Sequence, residues 1–586
     1  VSRGARRTPV VAVLLALLLA VSGCVGLPES GPVVETGERA RDGVAPGYSY
    51  VPQPPQAGAS PGEVVRGFLD AMTATPLQTA VARQFLAVDA QATWEPERGT
   101  VTYDEVSDPS GTGTVSVRLS GGGRLDARGA WQGPLSAEAS TLDFPMVQEE
   151  GEWRIGRAPD ALVVPESWFG QRFRSVDLYF LDPTARVLVP EPVFAPRGEQ
   201  LATTLVQGLV AGPGPALRGV ARTFFPAGSA VELSVVVADG LAEVSLQGDP
   251  RALDGQAAEL VLAQLAWTLR QDPAVRSLRL TVGGEPVTVA GGPSATDVDS
   301  AAAYDPTVVT SSSQLFGLRD GAVVVASPGV EEQVSGPLGT GDYQLRDLAV
   351  DLGATRVAGV AADGSAVWVA PLDGVAGAGG RGGAGVVTWP GADHLRPGWD
   401  HAGRLWLLDA GRGGAELSVV VGGRRRVVEA PGVTGQRVRQ LLVSRDGSRL
   451  VTVLAGGGGR VQVSRVRYDE RGRVLGVGRP VRLGRGAGDP LVVRDVGWAS
   501  PTDLLVVHAV TGDLTELRSL RVDGSPASLA PEGSADLLRE RVRQVVSSPV
   551  ADEPLLVSTP AGLLDPRLPA GEVLVPPDVT DVTYVG

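Results

Sequence analysis

Groups able to act as nucleophiles, bases or metal ligands are scarce in this chain of 586 residues, which has three histidines (His394, His401 and His508) and one cysteine, Cys24. A single cysteine excludes a disulfide framework, a CxxC redox pair and any multi-cysteine zinc site. His394 and His401 lie seven apart and each follows an aspartate, Asp393 or Asp400, which are residue types that bind transition metals. A third ligand at sensible spacing is missing, and an extended strand does not bring residues seven apart onto one ion, so both are expected to be surface or strand histidines. His508 follows the apolar run Leu504 to Val507 and has no G-x-S-x-G nucleophile motif near it. Gly377 to Gly382 (GAGGRG) satisfies G-x-G-x-x-G, but it lies in a glycine-rich loop between two β runs and opens no helix. A dinucleotide site needs that helix N-terminus for the pyrophosphate. The expectation is therefore no catalytic set, no metal and no cofactor.

Two further groups suit binding better than catalysis. Arg424, Arg425 and Arg426 follow Gly422-Gly423 and read as the solvated tip of a hairpin, with an acidic partner or a lipid head group as the functional alternative. Trp389, Trp399 and Trp406 fall within one repeat and could stack on a sugar, although core packing is the favoured role. The formal charge is −14, which argues against a nucleic-acid partner, since that partner calls for a basic footprint. With 43% hydrophobic and 20% charged residues the chain has material for ordinary cores, and its length calls for several domains. Gly 78 and Pro 45, set between short Val/Leu runs, point to turn-rich β structure.

The N-terminus has its own logic. Arg3, Arg6 and Arg7 precede the apolar run Val10 to Val21, which is too short to span a bilayer and fits a secretory leader. The run ends in Val21-Ser22-Gly23-Cys24, which resembles the lipobox of bacterial lipoproteins. The resemblance implies a signal peptide over 1–23, cleavage before Cys24, and N-acyl and S-diacylglycerol groups on that residue. Residues 24–59 are rich in Pro and Gly without strand or helix periodicity and read as a lipidated tether, with an r.m.s. span of about 30 to 35 Å.

Three folded regions follow. In residues 60–165, Ser60-Pro61-Gly62-Glu63 predicts a capped helix start, and Val64, Val65, Phe68, Leu69 and Met72 repeat at helical spacing. A second short helix is predicted from Leu77 to Leu86, then strands at Val101 to Val106, Thr114 to Leu119, Ser140 to Val147 and Trp153 to Ile155. The pattern is α+β of the NTF2 or cystatin type. Residues 161–171 read as a short connection that holds this domain against the next. Residues 172–295 run ββαββαββ, with helices from Glu199 to Val210 and Asp254 to Leu269 and a strand predicted from Val231 to Val237. Val176 to Phe180, LATTLVQGLVAGP (Leu201 to Pro213), FPAG (Phe225 to Gly228) and GLAEVSL (Gly240 to Leu246) resemble the GerMN domain first described in spore-germination proteins.

From residue 307 to 586 a weak repeat opens at Leu345 (LRDLAV), Leu395 (LRPGWD), Val438 (VRQLLV), Val493 (VRDVGW) and Val542 (VRQVVS), at spacings of 43 to 55 residues. That is the scale of a four-stranded propeller blade. Val579 (VTDVTYVG) has the first strand of a unit and stops, while Leu315 to Val325 has strands without that opening, so chain end and chain start together make one blade. Six blades are expected, with seven as the alternative. Asp347, Asp495 and Asp581 hold the third position of their units, which places carboxylates near the propeller channel or in structural ladders.

Taken in order, the lipobox, tether, helix-first α+β domain, GerMN domain and propeller resemble the actinobacterial LpqB-type lipoproteins, most specifically at SPGEVVRGFLDAM (Ser60 to Met72) and RQFLA (Arg83 to Ala87). The resemblance implies an extracytoplasmic protein held by lipid on the outer face of the cytoplasmic membrane. It would be accessory to the MtrA/MtrB two-component system, contacting the outer domain of the sensor histidine kinase and modulating signalling tied to cell-wall homeostasis and division. The family supplies no catalytic residues, so only Cys24 carries over. A cell-wall glycan binder or hydrolase working through the propeller is the competing reading, and a structural scaffold for envelope assembly is a third.

Overall fold

The computed structural model describes residues 50–586 apart from 254, 290, 309, 328–329, 375–384, 457, 485–490, 530–535 and 569–572. The leader, Cys24, the tether up to residue 49 and the Gly377 to Gly382 motif lie outside the described residues, whereas residues 50–59, expected as tether, pack on the first domain, where Tyr50 pairs with Thr75 and the Gly58 N–H donates to Glu152 at 2.9 Å.

The first domain opens on the helix Pro61–Ala71. Ser60 accepts the Glu63 N–H while the Glu63 carboxylate takes the Ser60 N–H, which satisfies two donors that a helix start otherwise leaves unpaired. Its apolar stripe is buried, and Phe68 packs its ring 5.4 Å from Trp94 and 5.9 Å from Phe144. Two four-stranded sheets receive that stripe, one ordered Trp131–Pro134, Gly123–Asp126, Gly99–Tyr103, Leu162–Pro165 and the other Glu105–Val106, Thr114–Ser120, Thr141–Glu149, Glu152–Ile155.

Two expectations here are corrected. Leu77 to Leu86 is helical only over Ala80–Arg83, because the chain at 85–87 joins the sheet: Phe85 O accepts the Ile155 N–H and Ala87 N–H donates to Ile155 O. A further helix, Val88–Thr93, follows. Residues 161–171 are not a connection. Leu162–Pro165 is a strand parallel to Gly99–Tyr103, with Val163 and Val164 fully buried, and it runs into the helix Glu166–Arg172. The expected packing against the next domain is present. Phe169 meets Phe194 at 5.5 Å, and Arg128 bonds Glu191 at 2.7 Å.

The GerMN domain pairs the long hairpin Phe173–Leu181 and Leu188–Pro196 with a sheet whose centre is the parallel pair Leu241–Gln247 and Ser277–Val282. The helix Gly255–Leu269 makes the crossover between those two strands, as a parallel pair requires. This helix also satisfies the free edge of Phe173–Leu181: Gln264 Nε2 donates to Tyr179 O, Thr268 Oγ1 accepts the Tyr179 N–H, and Gln271 pairs with both backbone groups of Asp177. The strand predicted over Val231 to Val237 is two pieces, Ala230–Val231 and Val236–Ala238, interrupted where Val235 turns inward and its N–H donates to Thr203 Oγ1.

The rest forms six sheets among the described residues, and the propeller has six blades, not seven. Their inner strands are Thr580–Thr583, Leu345–Val350, Gly398–Trp399, Val438–Val443, Val493–Trp498 and Gln544–Val546 for blades one to six. In blade one the C-terminal strand pairs with Phe316–Arg319 (Phe316 with Thr583, Leu318 with Thr580), so the ring is closed by the two ends of the same region. Closure leaves only short protected edges.

Candidate functional site

The repeated opening Val/Leu-Arg-Asp/Gln has a local cause and a geometric effect. In blades two, four and five the pairing register of the inner strand slips between its first and third positions, between Leu345 and Asp347, Val438 and Gln440, and Val493 and Asp495. The extra residue is the arginine, and such a bulge re-aims a side chain out of the ladder. The third residue then reaches across to the next blade. Gln440 Nε2 donates to Val496 O at 2.8 Å and Gln544 Nε2 to Val582 O at 3.0 Å, while Asp495 Oδ2 accepts the Val545 N–H at 2.8 Å. Each partner stands at the fourth position of the following unit, so the repeat encodes a staple between blades.

Asp347, Asp495 and Asp581 all line the central channel, a cavity of about 390 Å³ that also takes in Arg396, Arg439 and Arg494. Arg396 lies between two of the acids, 2.5 Å from Asp347 and 3.5 Å from Asp581. Burial opposes its charge, but Asp347 and then Asp581 outweigh that and hold its pKa above the ordinary arginine value. Burial raises Asp495, against the Val545 N–H and Arg396; burial also raises Asp581, with Arg396 pulling down and Asp347 pushing up. The three carboxylates are thus engaged in ion pairs or hydrogen bonds that join blades.

The other candidates fall elsewhere. His394 is wholly buried, a strand-edge residue bridged to Asp409, and burial lowers its pKa despite that carboxylate. It is not a surface histidine. The two aspartates beside the pair are occupied, Asp393 by Arg346 at 2.6 Å and Asp400 by Arg404 at 3.0 Å and the Trp406 indole at 3.1 Å. Among the described residues no cluster of three metal-ligating side chains occurs. His508 Nδ1 accepts the Val492 N–H at 2.9 Å. Arg424 to Arg426 is not a hairpin tip: Gly422-Gly423 makes the turn and Arg424–Val427 is an edge strand. There Arg425 donates to Ser418 and Pro390 O, and Arg426 donates to Val474 O in blade four. The tryptophans do not share a blade. Trp389 is in the outer strand of blade two, whereas Trp399 and Trp406 are in blade three, and these two are core. Trp389 and Trp399 do line a cavity of about 340 Å³ between blades two and three, with the Arg356 guanidinium 4.5 Å from the Trp399 ring.

The seams that join the propeller to the other two domains were not foreseen. Blade five inserts Ala527–Leu529 into the first domain, where Leu529 is part of the core and Ser528 Oγ donates to Glu166 at 2.8 Å. The GerMN hairpin meets the propeller where Arg449, almost fully buried, donates to Pro190 O and where Thr502 Oγ1 donates to Asp177 at 3.2 Å. Asp177 is pushed up to about 6, first by burial, with Arg521 and Arg449 opposing and Asp503 adding to it. An acid whose folded pKa exceeds its unfolded one is stabilised by protonation, so this seam strengthens as pH falls from 7.5 through 6 towards 5. Asp177→Asn is expected to raise stability at pH 7.5 by on the order of 2 kcal/mol, read as a higher thermal midpoint, and to flatten the rise of that midpoint on acidification. Equal pH dependence in the two proteins would contradict this.

The comparisons with known proteins agree with this architecture. Residues 54–170 match the family described as lipoprotein LpqB, N-terminal domain, and residues 321–565 the lipoprotein LpqB beta-propeller domain. Residues 177–288 match the family described as sporulation and spore germination. The chain is 29% identical to lipoprotein LpqB of Thermobifida fusca, over 84% of this chain and 86% of that one. It is 27% identical to lipoprotein LpqB of Streptomyces coelicolor, over 98% and 99%. A similar solved structure is the tandem GerMN domains of the sporulation protein GerM from Bacillus subtilis, at 18% identity and a TM-score of 0.16, covering 22% of this chain and 47% of that one. With both LpqB domains matched around a spore-germination domain, and with named relatives aligned over most of their length, the chain belongs to the LpqB lipoprotein family.

Proposed function

We propose that this chain is a lipid-anchored protein on the outer face of the cytoplasmic membrane that binds and modulates the outer domain of a sensor histidine kinase of the MtrB type, in signalling tied to cell-wall homeostasis and division. The observation that carries the reading is the combination of a lipobox ending at Cys24 with three domains joined to one another by half-buried seams, at Arg128–Glu191, Asp177–Thr502 and Glu166–Ser528. A platform of that kind holds the outer surfaces of its three domains in fixed relation to one another, which suits a protein contact. Cys24 carries the N-acyl and S-diacylglycerol groups. The chain acts without catalysis: the channel carboxylates are engaged in blade-to-blade contacts, and the relatives carry the name of a lipoprotein, not of an enzyme. Its test is saturable binding to the isolated outer domain of the kinase encoded in the same genome.

One observation favours a second reading, a binder of cell-wall glycan. The Trp389 and Trp399 cavity is largely apolar with Arg356 as its one charged lining residue, and the half-buried Trp389 ring offers a stacking face of the kind sugars use. Retention of muropeptides by the immobilised chain, lost in Trp389→Ala, would support it.

A further inference from the structure

The arginines at the second position of the repeat divide into two sets. Arg346 and Arg396 are neutralised, by Asp393 in one case and by Asp347 and Asp581 in the other. On the three consecutive blades four, five and six, Arg439, Arg494 and Arg543 have no carboxylate within ion-pair distance among the described residues. Arg439 donates to Val493 O, Arg494 donates to Val542 O and Thr515 Oγ1, and the Arg543 side chain makes no hydrogen bond among the described residues. Arg439 and Arg543 are exposed and Arg494 is half-buried. All three line the central channel. The one acid in this sector, Asp495, has its oxygens occupied by Gln440 Nε2 at 2.7 Å and by the Val545 N–H at 2.8 Å.

Past the other end of the inner strands, groups from blades one, four and six meet at Arg445. Arg439 is the second residue of the inner strand Val438–Val443 and Arg445 lies just past its end, about 20 Å away along an extended chain. Arg445 is buried and is held by Thr307 O, Ser311 Oγ, Ser548 Oγ and Val585 O, which fasten the segment leading in from the GerMN domain across that end. The channel is a pocket of about 390 Å³ with Arg439, Arg494 and Arg543 in its lining.

We propose that this pocket binds a ligand bearing two or more anionic oxygens, phosphate or carboxylate, clamped by Arg439, Arg494 and Arg543. Guanidinium groups match the planar pair of oxygens in either anion. The chain as a whole is strongly acidic, at −14, so a locally positive pocket on it is a selective feature and not a general basic surface. The site is independent of the kinase reading above.

The test is isothermal titration of the full-length chain in neutral detergent with sodium pyrophosphate and, separately, with citrate, at low and at 0.5 M salt. Saturable one-to-one binding of either probe is expected, weakened by salt and by about tenfold or more in Arg543→Ala and in Arg439→Ala. Arg424→Ala, an exposed arginine away from the channel, leaves binding unchanged. Pyrophosphate alone would assign a phosphate ligand, and citrate alone a carboxylate. Because the Arg543 side chain has no hydrogen-bond or ion-pair partner among the described residues, its replacement leaves the fold intact, which the thermal midpoint verifies. Absence of binding by both probes, or binding that Arg543→Ala leaves intact, would overturn the proposal.

Discussion

Cys24→Ser is expected to move the chain from the membrane fraction into the soluble fraction, with loss of the acyl mass. Serine has no thiol to take the diacylglycerol, and each buried CH₂ of an acyl chain contributes about 0.8 kcal/mol of anchoring. One chain anchors weakly, whereas the three carried by a diacylglyceryl, N-acylated cysteine anchor firmly. Nothing else described replaces them: among the described residues no helix is long and apolar enough to cross a membrane. The run Val10 to Val21, if left uncleaved, is shorter than the roughly 20 residues of a stable span. With a charge of −14 the chain is also repelled by anionic head groups. Membrane fractionation with intact-mass measurement reads both effects. A serine variant that stays with the membrane as fully as the parent would show that the anchor lies elsewhere.

Arg396→Met is expected to cost about 2 to 3 kcal/mol of stability. Breaking a buried ion pair from one side costs roughly 3 to 5 kcal/mol because the remaining charge is left uncompensated. The figure is discounted here because the Arg396 and Asp347 side chains are each 25% exposed and Asp581 is 35% exposed. Asp581 belongs to the strand that closes the ring, so the loss falls on closure itself. The sign with pH follows from burial, which raises Asp581 even with Arg396 present. Protonation favours the folded state of an acid raised in this way, so the deficit of the variant shrinks as pH falls through the Asp581 pKa. Asp581→Asn in the Arg396→Met background is expected to restore part of the loss. Urea midpoints at pH 7.5 and 5 measure this; a variant equal to the parent at pH 7.5 would contradict it.

Where local chemistry decided the structure, the sequence was readable. The box formed by Ser60 and Glu63 is set within four residues, and the six blades follow from an opening tripeptide that recurs because each blade meets the next in the same way. Closure was legible because Val579 to Gly586 begins a unit that it does not finish. What escaped depends on distant partners. The Leu162–Pro165 strand is short and reads as a connection until Gly99–Tyr103 is beside it. The strand over Val231 to Val237 breaks for one hydrogen bond to Thr203. Arg425 and Arg426 look solvated, and only the adjacent strands supply Pro390 O and Val474 O as acceptors. Their position in the repeat put the three aspartates near the channel or in structural ladders, yet the arginine that ties two of them belongs to a unit with proline at its third position. The seams are further still from sequence reach, since Asp177 and Glu166 meet residues more than 300 positions away.

The most direct measurement is the affinity of the lipid-anchored full-length chain, in nanodiscs, for the purified outer domain of its sensor kinase. Saturable binding of micromolar strength or tighter, with a change in kinase autophosphorylation when both proteins share one membrane, is the expected result. No binding under those conditions would contradict the role as a kinase accessory.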